Sequence, residues 1–450
     1  MKKSMFFALA ASSLLFSACS SDDAVVSTEG QNEAVQQIVL QVASSGDGLT
    51  TRAGRPLYSS QALQTIQHVR VLIYNSATKE IVKDEKLDWK KSATYDNHGR
   101  ELILTYKGDK RLEGGSYKVM AVGYSDNSDY TYALDVTSTA ALSGKYSDIT
   151  ATLKANAAAE EVFAGDAALT IGDDKKITNL TSGEEDGLDV TLHRQVAGSF
   201  GYFCDIPAKV GDKTAKTLRL VVRGKNDKLT FNNFNSSFTA AGATGSTIKY
   251  CVNGSTSTGA ALTTDAKFKD GSNGYVLYSI NLDDWYKNGD TNHDGLLTEE
   301  DGWTHADIFK KTTLVKGSVF GSNFVIPFAL THEKSTMELQ LLDAAGDIIK
   351  TWTVSIPAKD VNRDATNGNV ADESASIFNV VRNHMYNLGV KPSNGGTTDP
   401  NPGNPDPDPK PDPDPDKPDP DKPEDLSKSQ NLILKVNDNW EAIHQMELGD

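Results

Sequence analysis

The chain has 450 residues, of which 38% are hydrophobic and 24% charged, and carries a net charge of -16. Single cores rarely grow beyond about 250 to 300 residues, so more than one domain is expected. The acid excess and the lack of a basic stripe exclude a nucleic-acid partner, and 3 cysteines are too few to form the main scaffold.

Residues 1–18 begin with Lys2 and Lys3, run through an apolar stretch from Met5 to Phe16, and close on small residues before a cysteine in FSAC. This is the form of a secretory signal peptide, too short to be a membrane span. With Cys19 as the first mature residue it resembles the lipobox of bacterial lipoproteins, in which the cysteine carries a diacylglycerol on sulfur and a third acyl chain on its amine. Ser20, Ser21, Asp22 and Asp23 follow, similar to the tag that directs some Gram-negative lipoproteins to the outer face. The expected location is therefore the outer membrane and cell surface, with an ordinary secreted protein as the other reading.

Residues 19–36 are polar and read as a tether. In QIVLQVAS (37–44), Ile38, Leu40 and Val42 share one face, which predicts a half-buried strand. Similar runs at 68–75, 100–107 and 116–124, separated by NHG, LEGG and SDNSD turn signals, predict an antiparallel sandwich over 37–186. A second series opens with GLDVTLHRQVAGSFGYF (187–203) and continues at 217–224, 246–252, 274–282, 323–330, 337–356 and 384–391. The Ala-Ala-Gly-Asp turn within 337–356 predicts a hairpin. The chain is thus expected to be all-β, two tandem antiparallel β-sandwich domains with the boundary near residue 187 and the second ending at 391. Cys204 and Cys251 fall in the second domain and can either pair in an oxidising compartment or sit as buried thiols.

The second domain contains DTNHDGLLTEED (290–301), which has the spacing of an EF-hand calcium loop. Asp290, Asn292 and Asp294 supply side-chain oxygens, Gly295 takes the sharp turn, Leu296 offers its carbonyl, Thr298 can hold a water, and Asp301 closes the sphere. Leu297 takes the inward-packing position, and His293 fills a position not used for ligation. Asn288, Gly289 and Gly302 cut short any flanking helix. A structural Ca2+ that staples a long insertion is expected.

Residues 392–425 change abruptly to a Pro/Asp-rich composition in which neither helix nor sheet can form, because proline removes backbone donors and fixes φ. This linker is expected to be disordered or polyproline-like and to reach on the order of 80 Å. Beyond it, residues 426–450 place Leu432, Leu434, Val436, Trp440, Ala442, Met446 and Leu448 on even numbers, so an extended chain would have one continuous apolar face. The WEAIHQMEL part alone can also form a short amphipathic helix. The tail is expected to dock into a groove elsewhere, on another molecule.

Several segments in this order resemble the lipoprotein fimbrillins, the subunits of type V pili and their anchor and tip relatives: FSACSSDD, TTRAGR (50–55), EVFAGD (161–166), VTLHRQVAGSF (190–200) and VVRNHMYNLGV (380–390). The resemblance implies transthyretin-like sandwiches, cleavage after the first strand by an arginine-specific maturation protease, and filling of the vacated groove by a neighbour's C-terminal segment. It implies other fimbrial subunits as partners, outer-membrane lipid through Cys19, and adhesion to a host or bacterial surface receptor. Arg52 and Arg55 are the candidate cleavage sites; Pro56 follows Arg55, which most proteases cannot cut, so Arg52 is the better candidate. The long proline run is not expected of every stalk subunit, so an anchor or tip role stays open.

No glycine-rich phosphate loop, HExxH motif or paired-cysteine zinc spacing occurs, and His193 and His384 lie in strand segments, so an enzyme is not expected. Trp440 can be read as a carbohydrate platform, although its place on the even face favours anchoring. The alternative function is a monomeric surface glycan-binding lipoprotein with a calcium-ordered recognition loop.

Overall fold

The structure, a computed structural model, describes residues 35–42, 66–89, 95–96, 101–125, 129–133, 150–155, 157–180, 187–231, 254–257, 262–304, 314–331, 337–355, 377–380, 382, 385–389, 422–428 and 431–437. The first sandwich is built from β1 (Gln36–Val42), β2 (His68–Asn75), β3 (Ile81–Asp88), β4 (Tyr95–Asp96), β5 (Glu101–Tyr106), β6 (Gly115–Tyr124), β7 (Tyr130–Tyr132), β8 (Thr150–Leu153), β9 (Phe163–Ile171) and β10 (Gly187–Arg194). Eight of these hydrogen-bond in the order β3-β2-β6-β9-β10-β1-β5-β4. β10 turns the corner between the two faces: Gly187 to Leu192 run parallel to β1, while His193 and Arg194 pair with Ala164 and Phe163 of β9. Glycine is required at the crossing, because a Cβ on Gly165 would lie 1.9 Å from the Thr191 carbonyl oxygen. Ile38, Leu40, Val71, Trp89, Leu102, Phe163 and Val190 fill the space between the faces.

The boundary expected near residue 187 therefore moves. Leu188, Val190 and Leu192 alternate into the first core with 1% exposure or less, and the chain crosses at Gln195 and Val196 into β11 (Ala197–Cys204) of the second sandwich. One sheet of that sandwich orders Val319–Val325, β11, Met385–Leu388 and Lys435–Asn437; the other orders Ala266–Lys267, Asn273–Asn281, Thr217–Val222, Met337–Leu342, Ile348–Ser355 and Asn431–Ile433. The expected hairpin is present: Met337–Leu342 and Ile348–Ser355 run antiparallel, and Asp343 accepts from the Ala345 and Asp347 N–H groups at the turn. The expected strand at 246–252 lies outside the described residues.

The two sandwiches share structure. β8 pairs with Lys228–Thr230 of the second domain, and a single apolar core joins Leu72, Met120 and Val122 to Phe200, Leu220 and Phe320. At this junction Arg194 donates to the buried Glu161 carboxylate at 2.6 Å and lies over the Phe163 ring. Gln195, fully buried, donates to the His193 carbonyl and accepts from Arg382.

The C-terminal part corrects the expectation most. β11 pairs in parallel with Met385–Leu388, from Gly198↔Met385 to Gly201↔Leu388, and then with Glu424 and Asp425 opposite Phe203 and Cys204. Glu424 thus resumes the strand edge that Leu388 and Gly389 leave; a Cβ on Gly389 would lie 3.3 Å from the Glu424 nitrogen. The Pro/Asp-rich residues leave and rejoin one edge at adjacent points instead of carrying the tail away. Proline content sets the stiffness of a free chain; the anchoring of its ends is decided by Leu426, Leu432 and Leu434, which are buried in the chain's own second sandwich.

Replacing residues 391–421 by a short glycine–serine turn should therefore preserve the fold. Shortening the closed loop is expected to stabilise the chain by about 2 kcal/mol and raise the thermal midpoint by a few degrees. A lowered midpoint in differential scanning calorimetry would contradict the adjacency of Gly389 and Glu424.

Candidate functional site

β1 is an interior strand. It runs parallel to β10, with Ile38 opposite Leu188 and Leu40 opposite Val190, and antiparallel to β5, with Ile38 opposite Leu104 and Leu40 opposite Leu102. Ile38 and Leu40 are 1% and 0% exposed on the core face, and Val39 at 6% is covered on the other. Arg52, Arg55 and Cys19 lie outside the described residues.

The strand starts with a residue that its apolar pattern does not single out. Gln36 is 1% exposed; its Nε2 donates to the carbonyls of Leu112 and Lys175, both at 2.9 Å, and its Oε1 accepts from the Leu112 N–H at 2.8 Å. The amide is a three-point clamp that ties the start of β1 to the segment before β6 and the turn after β9. Its signal in the sequence was its place on the same even-numbered face as Ile38 and Leu40. An amide on a core face needs partners, because a buried polar group without them is costly.

The tail shows the expected alternation on an unexpected partner. Asn431–Ile433 runs parallel to Thr353–Ser355, the Leu434 N–H donates to the Ser355 carbonyl, and Lys435–Asn437 runs antiparallel to Met385–Asn387 in the other sheet. Consecutive tail residues thus extend both sheets of the second sandwich. Leu432 and Leu434 are 1% and 0% exposed, whereas Ile433 between them is 58% exposed. Val436 pairs with Tyr386; Trp440, Met446 and Leu448 lie outside the described residues.

The calcium-type loop lies between the strands Asn273–Asn281 and Val319–Val325. It is tied to the domain by Leu297, which is buried and pairs with Ile206, and by the Ala208 N–H donating to the Gly295 carbonyl. Asp290 Oδ2 accepts from the Gly295 N–H at 3.2 Å, while its Oδ1 is buried with no hydrogen-bond partner. Asn292 Oδ1 accepts from the Asp294 N–H and Asp294 Oδ1 from the Leu296 N–H. His293 and Gly295 take positive φ of 61° and 88°, which curls the backbone around these oxygens.

Asp301 is fully buried and accepts from the N–H groups of Thr291 and Thr298, each at 2.8 Å, and from both hydroxyls. Burial opposes its charge, but these donors outweigh burial and hold the carboxyl below the ordinary carboxylate range. It closes the loop end to end and caps the short 3-10 turn Glu299–Asp301, which Gly302 terminates with a φ of 67°. Among the described residues no three Asp, Glu, His or Cys side chains converge on one point. A cation here would draw on Asn292, the Leu296 carbonyl and water beside the carboxylates.

Cys204 carries a free thiol, and Cys251, its candidate partner, lies outside the described residues. Burial, together with the adjacent Asp205 carboxylate, pushes this thiol up to about 12. A thiol so shifted is not an activated nucleophile near neutral pH.

No family model and no curated protein matches the sequence. Among solved structures, the chain is similar to the fimbrial anchor protein Mfa2 from Porphyromonas gingivalis at 9% identity, covering 79% of this chain and 90% of that one, with a TM-score of 0.32. A fimbrial assembly protein from Parabacteroides distasonis matches at 12% identity over 80% of this chain and 92% of its own, with a TM-score of 0.32. The C-terminally truncated tip fimbrial protein Mfa3 from Porphyromonas gingivalis matches at 10% identity over 78% and 94%, with a TM-score of 0.30.

Gln36→Leu keeps the size of the side chain but leaves two carbonyls and an N–H without their amide partner. It should destabilise the first sandwich by about 2–5 kcal/mol in a denaturant titration. A change under about 0.5 kcal/mol would mean that the clamp is replaceable by water.

Proposed function

We propose that this chain is a cell-surface fimbrial subunit, delivered to the outer membrane by lipid on Cys19 and freed of that anchor when a protease cuts after Arg52, that assembles by strand exchange and supports adhesion. The observation that carries this reading is the placement of β1. It is an interior strand, yet its connection to β2 and the strands that follow runs through residues 43–65, where Arg52 and Arg55 lie. One cut after Arg52 leaves β1 held by hydrogen bonds and packing alone.

Loss of β1 opens a slot between β5 and β10, uncovers Leu102, Leu104, Leu188 and Val190, and leaves two rows of backbone groups unpaired. A sheet opened in this way is an acceptor for an added strand, which satisfies the backbone and fills the pockets together. The alternating tail around Leu432 and Leu434 is a donor of the right chemistry. The partners are then other fimbrial subunits, an arginine-specific protease, and a surface receptor at the exposed end.

In the same reading the 290–301 loop holds calcium as a structural staple, with Asp290, Asn292, Asp294 and the Leu296 carbonyl as ligands, while Asp301, expected to close the sphere, closes the loop instead through the four donors of Thr291 and Thr298. Its support is Asp290 Oδ1: a buried acceptor without a donor is unfavourable unless a cation or water satisfies it. Dissociation constants of about 10⁻⁴ to 10⁻³ M suffice for extracellular modules.

Treatment of the full-length chain with an arginine-specific protease should give a new N-terminus at Ala53 and a ladder of oligomers on a gel, whereas Arg52→Ala should remain monomeric. A wild-type chain that is cut and stays monomeric would overturn strand exchange. For the loop, titration calorimetry with calcium should show binding that Asp290→Ala abolishes. No heat from the intact chain would remove the ion.

A further inference from the structure

Strand exchange as such does not say which residues fill the slot or in what register. We infer that residues 430–436 of a second copy of this chain replace residues 36–42 side chain for side chain, with Gln430 taking over the clamp of Gln36. This rests on the strand-exchange reading and adds to it a register, a recognition residue and the identity of the partner.

Residues 36–42 read QQIVLQV and residues 430–436 read QNLILKV. Gln36 and Gln430, Leu40 and Leu434, and Val42 and Val436 are identical. Ile38 and Val39 correspond to Leu432 and Ile433, aliphatic for aliphatic, and the half-buried Gln37 and Gln41 correspond to polar Asn431 and Lys435. The match is sensitive to register. A slip of one residue would turn Leu432 and Leu434 to the wrong face, and a slip of two would press an amide into the apolar site of Ile38, where it would have no partner.

Two observations independent of the match point the same way. First, Leu112 and Lys175 lose their amide partner when β1 leaves, and these groups require a side chain with a donor and an acceptor at amide reach. Second, Ile433 is 58% exposed where the tail now sits, whereas Val39, whose place it would take, is 6% exposed. Transfer to the slot covers an aliphatic side chain that the present seat leaves in water, and it reburies Leu432 and Leu434, which offsets the cost of lifting them from the second sandwich. Because donor and acceptor are written on one chain, the occupant is another copy of it, so the protein polymerises with itself and does more than cap a foreign fibre.

In this register Ile433 falls opposite Ile103 of β5, as Val39 does. The test is the full-length Ile103→Cys/Ile433→Cys chain with Cys204 and Cys251 replaced by serine, cut with the arginine-specific protease, oxidised and run without reductant. Cross-strand pairs have the spacing of a disulfide, so covalent ladders are expected, while Leu104→Cys/Ile433→Cys should cross-link at least about tenfold less. Gln430→Leu should slow ladder formation by about tenfold or more.

Oligomers that cross-link at Leu104 and not at Ile103 overturn the register and leave strand exchange standing. Wild-type rates for Gln430→Leu overturn the clamp. A disulfide confined to monomers means that the tail fills its own chain's slot and overturns the second copy. No oligomers from the wild-type chain bring down the strand-exchange reading and this inference together.

Discussion

β1 is held along both edges, from Gln37–Gly187 to Val42–Leu192 on one side and from Gln36–Tyr106 to Gln41–Glu101 on the other. A strand so placed cannot be lost as an edge strand can, because its removal divides a sheet and uncovers a core at once. The rest of the molecule depends on this constraint. Sequence separation makes it notable: the strand's neighbours come from residues 101–106 and 187–192, so the N-terminal segment completes a sandwich whose other strands follow much later. The Gln36 clamp reinforces the point by reaching backbone groups 76 and 139 residues away.

The second sandwich is finished in a comparable way from the other end of the chain. Leu426, Leu432 and Leu434 are buried with the core that runs through Phe200, Leu220 and Leu339, and the tail crosses from one sheet to the other at Leu434. Each domain thus has one terminal segment that supplies strand edges and core side chains together. The shared core at Leu72, Met120 and Phe320, with the buried Glu161–Arg194 pair beside it, couples the two. Removing one partner of such a pair leaves an uncompensated charge and costs about 3–5 kcal/mol, so the junction resists independent movement of the sandwiches.

What could be read from the sequence follows from periodicity. Ile38, Leu40 and Val42, and again Leu432 and Leu434, alternate at the period of a strand, and both assignments hold in three dimensions. The hairpin around Asp343 was legible for the same reason, with turn residues between alternating runs. Alternation names a face, however, and not the sheet that face will meet, so the tail's seat on its own domain was not legible. The boundary near 187 failed because β10 and β11 are separated only by Gln195 and Val196 within one apolar run, while they enter different sandwiches. In the calcium-type loop the oxygen-bearing positions were legible, but the tie of Asp301 to Thr291 and Thr298 was not, since a ligand spacing does not say which carboxylate the backbone itself engages.

The most direct measurement is a cryo-electron microscopy map of the assembly formed by the protease-cleaved full-length chain. The account predicts density for residues 430–436 of a neighbouring copy between β5 and β10, parallel to β10, with the Gln430 amide against Leu112 and Lys175. A slot still occupied by residues 36–42 of the same chain, or closed by β5 pairing directly with β10, would contradict it.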